Sequence, residues 1–495
     1  MRNTQMPTLG GTELRRRAVK STAWFGVTRI GVQVSLWLVT IVLARLLTPS
    51  DYGLFAMALS ILAFVEIFQE LGLDAAIIQR QQVTREQLNG VFWFVVGASA
   101  LLTALVFLAA DVAGAFYAEP RLPALLRVLS VAFLLNSFGM VPQTLLTKEI
   151  HLHRRSMAEA AGVIVSIPVA LGLAYHGYGV WSLILGHVAR AVALNITLAV
   201  LARWVPGLNV TFRGMRRILT FGLQIFGGRV IATLSTALNI AIVGRMLGGR
   251  AVGLYAMGRG LADGPHRIST SVINQISFPI FSRIQDDRAT LVRYFLMISK
   301  YLAIISLPVQ VGIALLAAEL VPVVLSESWN EMVGILQIFA LGGIAAVLPL
   351  PSAPLLQARG RPEVVLRFGW ISSTAVAVAL LLGATFGLKG AAIAWLVAFV
   401  PARSILLLLG LRELGLSIGD YLRQLVSPFF ATTAMAFSVL VVARLFTSEA
   451  EPLAQMAIEI GIGALTYVSA LLVIDRRVSA DIRTIARDLF ATAKA

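Results

Sequence analysis

Fourteen apolar stretches of about twenty residues run from Thr22 to Ile474, separated by short breaks rich in charge, glycine or proline. A stretch of that length crosses a hydrocarbon core of about 30 Å. Inside lipid it must be a helix, because no water is present to satisfy free backbone groups. The spans fall near 22–44, 52–72, 90–110, 124–146, 158–175 and 179–202, then 220–244, 252–278, 294–317, 333–356, 366–386 and 390–411, and last 426–445 and 453–474. The chain is 58% hydrophobic and 13% charged, about half the charge of a soluble domain. This is an all-α polytopic membrane protein of about 14 transmembrane helices. The first run follows Arg15, Arg16, Arg17 and Lys20, the order of a secretory leader. Its apolar part is longer than an h-region of about 7–15 residues, so it is read as an uncleaved span.

The formal charge of +16 belongs to the loops. With the N-terminus in the cytoplasm, 27 of the lysines and arginines fall on that side, 7 on the other and 7 within spans. The bias places both termini in the cytoplasm and assigns the charge to membrane topology rather than to nucleic acid. Cysteine is absent, which excludes disulfides and thiolate metal sites. Of the five histidines only His151 and His153 are close together, in a basic loop with no carboxylate cluster, so no metal is expected.

ARLLTPSDYGLFAMA (44–58) returns as GRMLGGRAVGLYAMG (244–258). At this offset Arg45, Leu47, Gly53, Leu54, Ala56 and Met57 meet their own kind. Each unit holds an even number of spans, so the copies are parallel repeats about an axis along the membrane normal, with a substrate site between them near the midplane. The expected organisation is a basic arm (1–20), an N-lobe (21–210), a C-lobe (211–411), and two further helices with a basic tail (412–495).

Arg29 and Arg229 match at the same offset, each in the first helix of its lobe. An arginine at depth costs about 2.5–3.5 kcal/mol and should face protein or a water-filled cavity. Two planar guanidinium forks facing one cavity suit phosphate oxygens; the competing reading is that each only fixes packing. The eighth span carries Arg259, Asp263, His266 and Arg267, with Arg259–Asp263 and Asp263–Arg267 at i,i+4 on one helix face. Glu66, Glu70 and Asp74 share a face of the second span. Glu66 and Glu70 are candidates for charge partners, and Glu66 for Arg29 or for proton exchange. Arg190, Lys300 and Arg403 are further cavity candidates, Arg190 and Arg403 in corresponding parts of the last helix of each lobe. At helix ends such side chains also snorkel to water.

No glycine is followed by lysine, so a Walker A loop is absent. The glycines of GRGLADG follow no strand, and no nucleotide or other cofactor is expected. Loops are too short for a soluble catalytic domain, so the chain is not expected to be an enzyme.

The stretches LARLLTPSDYGLFAMALSILAFVEIFQELGLDAAIIQR (43–80), LLTKEIHLHRRSMAEAAG (145–162) and GRMLGGRAVGLYAMGRGLAD (244–263) resemble the polysaccharide transporters, the Wzx-like oligosaccharide flippases of the multidrug/oligosaccharidyl-lipid/polysaccharide exporter superfamily. The resemblance implies two lobes working by alternating access in a bacterial inner membrane. It implies a lipid-linked oligosaccharide as substrate, carried on undecaprenyl pyrophosphate to the periplasmic leaflet for surface polysaccharide synthesis. A polysaccharide polymerase and a chain-length regulator are the implied partners, besides membrane lipids. The cavity arginines implied for the pyrophosphate fall on Arg29, Arg229, Arg259 and Arg267. A lipid II flippase, a multidrug exporter of the same superfamily and a non-transporting scaffold for glycan assembly stay open as alternatives. The surplus of intramembrane cations speaks against a site for cationic drugs.

Overall fold

The computed structural model describes residues 31–70, 72–80, 83–149, 151–211, 215–445 and 451–475. Among these residues there are helices and no strand. The first four are α1 (Gly31–Leu46), α2 (Pro49–Glu70), α3 (Leu73–Gln79) and α4 (Arg85–Tyr117). They are followed by α5 (Leu122–Lys148), α6 (Leu152–Tyr175), α7 (Val180–Ala202) and the long α8 (Met215–Arg283). The chain continues through α9 (Arg288–Leu320), α10 (Val333–Val347), α11 (Ser352–Ala358), α12 (Pro362–Ala384), α13 (Gly387–Leu414), α14 (Ile418–Leu445) and α15 (Pro452–Ile474). Twelve spans among the described residues are long and apolar enough to cross a membrane. With α1, and with α8 divided where its helical backbone fails at Gly248 (φ 80°, ψ 179°), each of the fourteen expected spans has its helix.

Local chemistry sets the ends. Thr84 and Gln87 form a reciprocal capping box at the start of α4. Gly72, in the left-handed region at φ 67°, separates α2 from the short α3. The stretch expected as one helix over 333–356 is interrupted between α10 and α11, where Pro349 and Pro351 cannot donate to a helical ladder. Outer faces are apolar: Leu101, Leu105, Leu108 and Val112 form an exposed stripe on α4, while Val91, Val95 and Val106 are buried. An exposed hydrocarbon stripe on a span of this length is the surface that lipid covers.

By contact density the chain divides into two compact units, Met1–Gly253 and Leu254–Ala495. In the first, Leu73, Ile77, Val91, Phe92 and Val141 form one apolar cluster among α3, α4 and α5. Leu43, Leu47, Ala170 and Leu183 form another. The two copies of the repeated stretch also meet in this unit. A Cβ on Gly53 would collide with the Gly249 carbonyl and stand 3.0 Å from the Gly253 nitrogen. A Cβ on Gly253 would collide with the Pro49 carbonyl and stand 3.0 Å from the Gly53 nitrogen. The contact is reciprocal, like the surface of a two-fold dimer, and it requires glycine on both sides because backbone meets backbone.

In the second unit Phe281, Phe295, Leu355, Leu411 and Tyr421 belong to one buried cluster. Asp475, just after α15, accepts from Lys300 Nζ at 2.5 Å and from Ser427 Oγ at 2.7 Å, tying α15 to α9 and α14. The Tyr467 hydroxyl donates to the Ile304 carbonyl and adds a second tie between α15 and α9.

Candidate functional site

Past Gly248, α8 brings Tyr255, Arg259 and Asp263 onto one face, four residues apart. Arg259 donates from Nε to Asp263 Oδ2 at 3.2 Å and from Nη1 to the Tyr255 hydroxyl at 3.3 Å. α13 repeats the spacing with Trp395, Phe399 and Arg403. The rings of Trp395 and Phe399 stack at 4.5 Å with 20° between their planes. The Arg259 guanidinium lies 5.1 Å from the Trp395 ring centre, and that of Arg403 lies 4.9 Å from the Phe399 ring centre. The result is a wall with a cation on each of two stacked rings.

Packing fixes this wall from behind. Phe339 of α10 sets its ring edge-on to both Tyr255 and Trp395, at 5.0 Å in each case. Gly342, one turn along α10, leaves the space that the Trp395 ring fills. Cation–π contact is worth about 0.5–2 kcal/mol and rises with desolvation. Ring faces can therefore hold a guanidinium inside an apolar bundle without using its N–H donors. Arg403 has no ion pair or hydrogen bond among the described residues. Its donors fit the oxygen fork of a phosphate or carboxylate.

The first unit holds a cavity of about 680 Å³, within the range usual for ligand sites. Its wall takes Glu66 from α2, Asp74 from α3, Arg155 from α6, Asn195 from α7 and Thr233 from α8. α5 contributes Asn136, Met140, Gln143, Thr144 and Thr147, all on one helix face. Asn195 Nδ2 donates to Asn136 Oδ1 at 3.1 Å and to the Ala191 carbonyl at 2.7 Å. Arg155 is engaged on both sides, with Glu159 at 3.0 Å and the Thr147 hydroxyl at 3.2 Å.

Of the residues singled out in the sequence, Arg259, Asp263 and Arg403 come together in the second unit. Glu66 lines the cavity in the first. Arg190 sits half-buried on α7, one turn from His187, with α6 passing close at Gly162. Lys300 is engaged by Asp475. Arg29 lies outside the described residues, as do the side chains of Glu70, Arg229, His266 and Arg267. The second rung of the ladder expected from Asp263 to Arg267 falls there too. Reading charge alone passed over the amides of Asn136, Gln143 and Asn195 and the rings of Trp395 and Phe399. The signal for the amides was present as Asn136 and Gln143, seven apart in an apolar helix.

The model of a family described as "Polysaccharide biosynthesis protein" matches residues 42–334. The teichuronic acid biosynthesis protein TuaB of Bacillus subtilis is 26% identical over 470 residues, 92% of this chain and 96% of that protein. The lipopolysaccharide biosynthesis protein WzxC of Escherichia coli is 25% identical over 422 residues, 84% of this chain and 86% of its own length. Among solved structures, the lipid II flippase MurJ in an inward closed conformation superposes with a TM-score of 0.73 at 14% identity, covering 92% of this chain and 99% of that one. An inward-facing multidrug resistance transporter of the MATE family gives 0.64 at 15% identity, covering 79% and 98%. At such identities the structural likeness establishes the shared helical fold.

Proposed function

The chain belongs to the polysaccharide biosynthesis protein family, and from that premise we propose that it is a flippase for oligosaccharide units carried on undecaprenyl pyrophosphate. The cargo moves from the cytoplasmic to the periplasmic leaflet of a bacterial inner membrane by alternating access, with both chain termini in the cytoplasm. The names of the relatives support polysaccharide assembly as the setting. The observation that carries the reading is the wall of Arg259 and Arg403 on stacked aromatic rings. Arg403, kept inside an apolar bundle with its donors unspent among the described residues, calls for an anionic partner.

Arg29, Arg229 and Arg267 are proposed to share the pyrophosphate with them, with Arg190 and Lys300 as secondary candidates. Glu66, Glu70, Asp263 and His266 are proposed to balance charge as the cargo enters and leaves. The prenyl chain stays in lipid. Two negative charges leaving a negative interior move down the electrical gradient and gain about 2.3 kcal/mol per charge per 100 mV, so export has a driving force without ATP. A polymerase and a chain-length regulator would receive the product.

The test is surface polysaccharide export in cells carrying Arg29→Gln with Arg229→Gln, and separately Arg403→Gln, with membrane abundance measured alongside. Accumulation of lipid-linked glycan on the cytoplasmic side at normal abundance is the expected result. Export at the wild-type rate in both variants overturns the anion-cradle reading. Loss of abundance or of complex assembly, with the rate per molecule unchanged, would instead indicate a scaffold.

A further inference from the structure

The α5 wall of the cavity in the first unit has more hydrogen-bonding capacity than the protein uses. Asn136 accepts through Oδ1 from Asn195, which sets the direction of its amide and leaves its two N–H groups without a partner among the described residues. Asn195 is itself held: its Nδ2 also donates to Ala191, and its Oδ1 lies where a Cβ on Gly139 would be. The Asn136–Asn195 pair is thus fixed by the close approach of α5 and α7. Two turns along, the Gln143 amide has neither its carbonyl nor its NH₂ engaged among the described residues. Thr144 and Thr147 give their protons to the carbonyls of Met140 and Gln143, at 2.8 and 2.9 Å. Their oxygens therefore offer lone pairs only.

Along one helix face the wall presents donors at Asn136, a donor and an acceptor at Gln143, and acceptors at Thr144 and Thr147. Among the described residues Arg155 is the one cation on the lining, and it is already engaged by Glu159 and Thr147, while the carboxylates of Glu66 and Asp74 also line the cavity. The face of amides and hydroxyls on α5 suits a neutral ligand whose groups each donate and accept at short intervals, which is the chemistry of sugar hydroxyls. We propose that Asn136, Gln143, Thr144 and Thr147 form a sugar subsite that reads the hydroxyl pattern of the cargo's glycan, by residues other than those that hold its phosphates. The proposal rests on the transport reading above and assigns it a specificity-determining surface.

The experiment separates sugar from charge. Full-length protein in lipid nanodiscs is exposed to two probes, and binding is followed by saturation-transfer NMR or calorimetry. One probe is the oligosaccharide released by mild acid from the lipid-linked pool of the producing cells; the other is undecaprenyl pyrophosphate without sugar. Asn136→Ala with Gln143→Ala should weaken the oligosaccharide about tenfold or more, a neutral hydrogen bond being worth roughly a few-fold to tenfold. Binding of undecaprenyl pyrophosphate should stay within about twofold on the same principle. Gln143→Met keeps the side-chain volume and should show part of the same selective loss if the double variant is unstable. Unchanged oligosaccharide binding in stable variants, or equal weakening of both probes, overturns the subsite. Wild-type protein that binds the oligosaccharide but not undecaprenyl pyrophosphate keeps the subsite and overturns the lipid-carrier reading. The reverse pattern overturns the subsite alone.

Discussion

The α5 wall of the first unit and the α8–α13 wall of the second meet the same difficulty, polar groups inside an apolar bundle, in opposite ways. On α5 the groups are neutral amides and hydroxyls beside a cavity, and several donors are left open. On α8 and α13 the groups are guanidiniums, and each is laid on an aromatic ring. The difference follows from cost. An amide at a wet cavity wall is satisfied by water or ligand, whereas a buried cation needs support that is always present. Neutral recognition can be assembled from scattered residues on one helix face. Charge recognition needs a supporting structure, which here spans α8, α10 and α13.

The sharpest way to break this comparison is Trp395→Ala. Removing the buried ring beneath Arg259 should cost about 3–5 kcal/mol of stability, read as a lowered Tm and low membrane abundance. A variant of wild-type stability would mean that the rings are not the support of the wall. Next comes Arg403→Gln, which loses charge-assisted hydrogen bonds of about 1.5–3 kcal/mol. Affinity for undecaprenyl pyrophosphate should fall at least tenfold while Tm holds, and unchanged affinity would remove Arg403 from the site. Gln143→Met has a smaller effect, a loss of roughly a few-fold to tenfold on the sugar probe alone. An equal loss on the lipid pyrophosphate would erase the distinction between the walls. Asp263→Asn should have the least effect. An i,i+4 ion pair contributes about 0.2–0.5 kcal/mol, so freeing Arg259 should tighten pyrophosphate binding about twofold, and a marked weakening would show that Asp263 itself receives the cargo.

Much of the architecture could be read directly from apolar length. The break in α8 falls at Gly248, inside the interval the sequence leaves between its seventh and eighth spans. The Arg259–Asp263 pair follows from helical spacing alone. What the sequence hid depends on distant segments meeting. Asn195 reaches Asn136 because Gly139 admits it, and no spacing rule connects those positions. Trp395 and Phe399 look like lipid-facing or core aromatics until Arg259 arrives from another helix. Lys300 resembles any cation near a helix end; its partner Asp475 lies beyond the last span. The interruption between α10 and α11 was legible in Pro349 and Pro351, but high apolarity across both sides masked it.

Duplication ordinarily frees one copy of a segment to drift while the other keeps the old role. The meeting of Gly53 with Gly249, and of Gly253 with Pro49, removes that freedom here. Each copy is the other's immediate environment, and the collisions are with main chain, which no side-chain change elsewhere can relieve. A mutation at either glycine therefore finds no neighbouring position able to absorb it. In evolutionary terms the two halves remain bound at this point to a shared vocabulary, however far they diverge in the residues that touch cargo.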